Sequence, residues 1–177
     1  AVLAPWHCRP TLLLQRRLLV SSLSPAGYKA KLLAVGGFPN TITPVLTVRN
    51  ALAAVAFYEQ ALGAEVIFRN TCPDGKIVAE MAIGAARFRV ADEATEATTL
   101  SPETLQGTSV RINLLVADPD LLMQRAIASG AVEVAPIADQ PYGLRQGRLA
   151  DPFGHHWLIG RPLADGSGDW VRRVGSR

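Results

Sequence analysis

The sequence predicts an α+β fold built from two βαβββ modules, and three observations carry that expectation. A strand, a helix and three further strands can be read twice along the chain. The helix of each copy ends at a glycine, Gly63 and Gly130, which stand 67 residues apart. The text around these glycines also matches, Ala61-Leu62-Gly63-Ala64-Glu65-Val66 against Ala128-Ser129-Gly130-Ala131-Val132-Glu133.

The first 40 residues stand outside this pattern. They are rich in Leu, Arg and Ser, contain no acid, and are broken by Pro5, Pro10, Pro25, Gly36 and Gly37. They read as a loosely ordered leader, either an organelle-type transit segment or an upstream extension. From Thr41 the periodicity becomes regular. Ile42 to Val48 reads as a strand and Ala51 to Leu62 as a helix, with Asn50 as N-cap and Gly63 supplying the left-handed residue at its end. Within that helix Ala54, Val55, Tyr58, Ala61 and Leu62 recur at spacings of three and four and define a buried stripe. Ala64 to Phe68 reads as a strand, and Lys76 to Ile83 with Ala86 to Ala91 as a hairpin turning at Gly84.

Residues 93–107, with Ser101, Pro102 and Gly107, read as a linker. The second copy then runs from a strand at Ser109 to Val116, through a helix opened by Asp118 and closed by Gly130, to a strand at Val132 to Val134. Its hairpin joins Leu144 to Ala150 with His155 to Gly160 through an Asp-Pro-Phe-Gly turn, where Pro152 presets φ and Gly154 permits a positive one. Strand alternation puts His156 and Leu158 on one side, with His155, Trp157 and Ile159 on the other. The domain therefore spans 41–163, with modules 41–92 and 108–163, and a polar, glycine-rich tail occupies 164–177. A four-stranded sheet with one helix leaves its second face uncovered, so two such sheets set together would enclose a cleft.

Composition narrows the function. Apolar residues make up 49% and charged residues 19% of the 177, the balance of a folded globular domain. The formal charge of +3 is concentrated in the leader, which holds five of the 18 basic residues. Beyond it stand 13 basic against 15 acidic residues, so the body is mildly acidic and lacks the clustered basic face that phosphate backbones require. No nucleic-acid partner is expected. No membrane span is expected either, because the apolar run Thr11 to Val20 is interrupted by Gln15, Arg16 and Arg17. Two cysteines, Cys8 and Cys72, give neither a disulfide framework nor metal-binding spacing, which fits a reducing, cytoplasmic compartment. The leader leaves organelle targeting open.

Phe57-Tyr58 with Leu62-Gly63-Ala64 after the first strand, and Asp151-Pro152-Phe153-Gly154-His155-His156-Trp157 near the end, resemble the vicinal-oxygen-chelate superfamily. That superfamily includes glyoxalase I, bleomycin-type resistance proteins and extradiol dioxygenases, and the motifs look like its glyoxalase/bleomycin-resistance branch. The resemblance spans about 41–163. It implies an open-barrel cleft between the modules, frequent homodimerisation and, in catalytic members, a divalent metal held by His, Gln and Glu from strands of both modules. Carried over position by position, the ligand sites fall on Thr43, on the strand Ala85 to Val90 with no His, Gln or acid, on Arg111 and on Leu158. An arginine is a permanent cation and zinc, nickel or iron needs three or four donors, so no metal or other cofactor is expected.

The candidate ligand-binding residues are Arg111, Asn113, His156, Tyr142 and Glu80. Arg111 and Asn113 lie in the apolar strand Val110-Arg111-Ile112-Asn113-Leu114 and share a face; the arginine suits either a bidentate clamp on an anion or an ion pair with Glu80 across the cleft. His156 reads either as a packed histidine or as an acid/base group. Glu80, among apolar neighbours, reads either as an ion-pair partner or as a base. Tyr142, in Gln140-Pro141-Tyr142-Gly143, is exposed and could stack on a planar ligand, as could Trp157. Arg145 and Arg148 flank Gly147 and serve either as solvated charges or to steer an anion. The expectation is a small-molecule binding protein that sequesters an aromatic or anionic ligand in the inter-module cleft without metal, as a homodimer. The alternative is a metal-dependent lyase or dioxygenase with a rearranged site using His156 and Glu80, and a third reading is a structural module with a vestigial cleft.

Overall fold

The computed structural model describes residues 41–163. The leader 1–40 and the tail 164–177 lie outside the described residues.

The first module comprises β1 (Val45–Val48), α1 (Ala51–Leu62), β2 (Glu65–Thr71), β3 (Ile77–Ile83) and β4 (Ala86–Asp92). A short helix, α2 (Pro102–Leu105), lies in the connection. The second module repeats the plan with β5 (Arg111–Leu115), α3 (Pro119–Ala128), β6 (Val132–Asp139), β7 (Leu144–Ala150) and β8 (His156–Pro162). The strand orders are β1-β4-β3-β2 and β5-β8-β7-β6. In each sheet the opening strand runs parallel to the last, and the remaining pairs are antiparallel. Neither sheet closes into a barrel.

Local chemistry sets the helix ends. The Asn50 and Asp118 side chains accept hydrogen bonds from the N–H groups of Ala53 and Leu121, each capping one helix start. Gly63 ends α1 at φ 67°, and a Cβ there would lie 3.2 Å from Nη2 of Arg125, whose Nε donates to the Ala61 carbonyl at 2.8 Å. One arginine of α3 thus satisfies a carbonyl that the end of α1 leaves open.

Three expected elements differ. The first strand begins at Val45 rather than Ile42, because Pro44 has no N–H and contributes only its carbonyl, which accepts from Arg89 N at 2.8 Å; Ile42 is 96% exposed. The linker carries α2, in which Pro102 fills the first turn and the Ser101 hydroxyl accepts from Thr104 N. Strand β6 runs on to Asp139, with register breaks around Pro136, as its edge position allows. Gly147 faces that irregularity, where a Cβ would lie 2.8 Å from both Ala135 O and Ile137 N.

The modules share one core. Helices α1 and α3 pack on each other and on the inner faces of their sheets. Tyr58 of α1 lies with its ring centroid 5.6 Å from Trp157 of β8, and Phe88 of β4 lies 5.7 Å from the same tryptophan. The polar centre of this apolar region is Asp151, whose carboxylate accepts from the Tyr58 hydroxyl at 2.7 Å, from Trp157 Nε1 at 3.0 Å, and from the backbone N–H groups of Phe153 and His155 at 3.0 and 2.9 Å. Nearby, His155 Nε2 lies 3.0 Å from the Thr47 carbonyl; a carbonyl can only accept, so Nε2 carries the hydrogen. Among the described residues no helix is long and apolar enough to cross a membrane.

Burial, with the adjacent Asp151 charge and its hydrogen bond adding to the effect, pushes the Tyr58 phenol well above its ordinary value of 10.0. A folded-state value above the unfolded one stabilises the fold fully below pH 10, and this contribution is lost as pH climbs through the folded value. Denaturant unfolding as a function of pH should therefore show a fall in stability above pH ~10 that Tyr58→Phe removes, at a cost near neutrality of ~1–2 kcal/mol. Asp151→Ala, which strands several buried donors, should cost at least ~3 kcal/mol in the same measurement.

Candidate functional site

Each sheet uses one face for the shared core and leaves the other, outer face uncovered by its helix. On the second sheet Ile112, Leu114, Leu149, Trp157 and Ile159 belong to or pack against the core. Alternation sends the intervening residues outward. The register sets them in rows: Arg111 beside His156 and Ala150, Asn113 beside Leu158 and Arg148, Leu115 beside Gly160 and Gln146. With strands ~4.8 Å apart and same-face residues ~6.7 Å apart along each strand, these groups share one patch.

The patch consists largely of donors. Arg111 and Asn113 are exposed, His156 and Arg148 half-buried and Gln146 buried. The outward-facing positions of β5, β6, β7 and β8 carry no carboxylate: Asp139 and Glu133 pair with Arg145 and Leu149, whose side chains point inward. Arg111, Arg148 and His156 have no ion pair among the described residues. The Nε of Arg148 is buried and has no hydrogen-bond partner among them. A buried donor left unpaired costs the fold free energy.

One side chain crosses the patch. Gln146 of β7 reaches over β8 to Asn113 of β5, its Nε2 donating to Asn113 Oδ1 at 3.0 Å. Between them lies Gly160, where a Cβ would sit 3.0 Å from Cβ and 3.1 Å from Cγ of Gln146 and 2.9 Å from Arg145 O. Only a residue without a side chain lets the glutamine pass. The Tyr142 hydroxyl donates to Gln146 Oε1 at 3.1 Å, and Gln140 Nε2 donates to the Gln146 carbonyl at 3.2 Å.

Four of the five sequence candidates, Arg111, Asn113, His156 and Tyr142, thus meet on this face, Tyr142 through Gln146. Glu80 does not. It lies on the outer face of the first sheet, in the row Val45, Arg89, Glu80, Phe68. Of the two readings of Arg111, the ion pair with Glu80 does not form; Glu80 pairs with Arg89 on the neighbouring strand, at 3.2 Å. The Glu80 row belongs to the first sheet and the Arg111 row to the second, the two sheets sharing one core. Trp157, 1% exposed, belongs to that core and cannot stack on a ligand. The two flanking arginines also separate: Arg145 points inward and pairs with Asp120 and Asp139 at 2.6 and 3.0 Å, while Arg148 points outward. Gln146 and Gly160 were not among the candidates, since their importance depends on the β7–β8 register; the alternation of β7 alone would have placed Gln146 with Arg148.

These residues do not fit a divalent metal. The positions that the fold family uses for ligands present a guanidinium at Arg111 and an alkyl chain at Leu158 on the same outer face. Among the described residues no group of three or more His, Cys, Asp or Glu side chains could hold a metal ion.

Comparison with known proteins agrees with the architecture. An uncharacterised protein of Mycobacterium bovis is 36% identical over 135 residues, covering 74% of this chain and 89% of that one. Among solved structures, TioX from Micromonospora sp. ML1 superposes with a TM-score of 0.55 at 26% identity, over 71% of this chain and all of that chain (100%). The genomically encoded fosfomycin resistance protein of Listeria monocytogenes shares the fold, with a TM-score of 0.57 at 14% identity over 71% of this chain and 95% of that one. The model of the Glyoxalase/Bleomycin resistance protein/Dioxygenase superfamily matches residues 40–159, nearly the whole described domain, and the chain belongs to that superfamily.

Proposed function

We propose that this chain is a small-molecule binding protein that holds an anionic ligand on the outer face of its second sheet without a metal. The observation that carries this reading is the patch of Arg111, Arg148, His156 and Asn113 with no carboxylate, in which Arg148 Nε is buried and unpaired. Guanidinium groups bind carboxylate, phosphate and phosphonate oxygens through short, charge-assisted hydrogen bonds. Leu158 and the exposed Tyr142 add apolar surface for an aromatic portion of the ligand. Nothing in the patch supplies a nucleophile activated by a base, and the reading is of binding rather than turnover.

We propose further that a second copy completes the site as a homodimer. Each outer face is an open sheet surface bearing exposed apolar residues, Val45 and Phe68 on the first sheet and Leu115 and Tyr142 on the second. The first sheet also carries the Glu80–Arg89 pair, so its outer face would bring mixed charge against the cationic face of a partner.

Two measurements test this. Calorimetric titration with phenylphosphonate and benzoate should detect binding that benzyl alcohol does not match and that survives EDTA. Arg111→Met and Arg148→Met should each weaken it by roughly tenfold, the loss expected for one charge-assisted hydrogen bond. Loss of binding in EDTA with recovery on adding manganese or nickel would overturn the metal-free reading. Light scattering of the eluting protein should give twice the chain mass, and Phe68→Glu should shift it toward the monomer; a monomer at all concentrations would remove the second copy from the site.

A further inference from the structure

Arg111 and Arg148 flank the patch from opposite sides. Arg111 stands on β5 and Arg148 on β7, and β8 runs between them, with its His156 beside Arg111 and its Leu158 beside Arg148. Two strand spacings and a step of two residues along the strands put their Cα atoms about 12 Å apart, a gap that two long side chains leaning over β8 can close. Neither guanidinium forms an ion pair among the described residues, so neither is committed to a carboxylate of its own chain. On the first sheet the contrast is plain, because Arg89 of the outer face is taken by Glu80 on the next strand.

The shape of an anionic head group decides how many of these guanidinium forks it can fill. A guanidinium binds an oxyanion best through two parallel N–H bonds to two of its oxygens. A carboxylate is planar and has one pair of oxygens; a single fork uses that pair, and the second arginine is left a lone contact at its edge. A sulfonate, phosphonate or phosphate monoester is tetrahedral, with three terminal oxygens whose paired edges face different ways, so two forks on opposite sides can each take an edge. We propose that the head group selected by this face is a tetrahedral oxyanion, held between Arg111 and Arg148 over β8, in preference to a carboxylate. This rests on the anion-binding reading and adds the class of head group to it. His156 lies within the span as a further polar group, and Leu158 beside it offers surface to the apolar part of the ligand.

Benzenesulfonate and benzoate separate shape from charge. They share a ring and a single negative charge near neutral pH, and differ in the geometry of the head group. Sulfonate is the weaker base, so hydrogen-bond strength alone would favour benzoate. In calorimetric titration the unaltered protein should nevertheless bind benzenesulfonate about fivefold more tightly. Arg111→Lys and Arg148→Lys keep the charge and replace a planar fork by a point charge. Each should retain benzoate binding and reverse the order of the two anions, with thermal unfolding close to that of the unaltered protein. A loss of net charge alone would not produce that reversal. An unaltered protein that prefers benzoate would overturn the proposal, as would folded lysine variants that still prefer benzenesulfonate. If neither anion binds the unaltered protein, the anion-binding reading fails first and the head-group class with it.

Discussion

The carboxylate of Asp151 is the constraint on which the rest of the domain depends. It sits in the turn between β7 and β8 and receives a hydrogen bond from Tyr58, 93 residues away on α1 of the other module. Desolvating a carboxylate is costly, and a Tyr hydroxyl, a Trp N–H and two backbone N–H groups offset that cost. Each donor is then held in place by the same acceptor. The rings of Phe57, Tyr58, Phe88, Phe153 and Trp157 pack around it with centroid separations of 5.4 to 6.2 Å, mostly edge-on, so the aromatic core of both modules is organised about one charge.

This anchoring reaches the candidate site through β8. Trp157 is fixed on the inner face by its bond to Asp151, and its neighbours His156 and Leu158 are thereby turned outward. His155 is drawn to the Thr47 carbonyl at the free edge of β1, which ties the same turn to the first module a second time. The outer face of the second sheet therefore rests on a strand whose twist and depth are set by the core. Its polar groups are carried by strands rather than by loops, which favours a rigid and preorganised surface. Tyr142 is the exception, standing on the β6–β7 connection.

Much of the architecture is legible in the sequence because the signals are local. Asn50 and Asp118 announce helix starts, Gly63 and Gly130 announce helix ends, and the alternation through His156 and Leu158 places each on the outer face. The α2 helix also has a local signal, a serine cap followed by Pro102, within a segment whose composition otherwise resembles a linker. What the sequence withholds is pairing. Glu80 sits between Arg89 and Phe68 because of a register set by two hairpins, and its ion pair follows from that neighbour rather than from its own strand. Gln146 reaches Asn113 across 33 residues of chain, and a glycine at 160 gives no hint of it until β7 and β8 are aligned.

The two modules can be aligned through their caps and ladders, and the Tyr58–Asp151 bond between them has no symmetric mate. With Asn50 set on Asp118, Tyr58 corresponds to Ala126; with Glu80 set on Arg148, each beside its bulged edge strand, Asp151 corresponds to Ile83. Two copies of the first half joined in tandem would bury a phenol against isoleucine, and two copies of the second would bury a carboxylate against alanine. The repeat has thus diverged into a lock and its key, and neither half is any longer a spare part for the other.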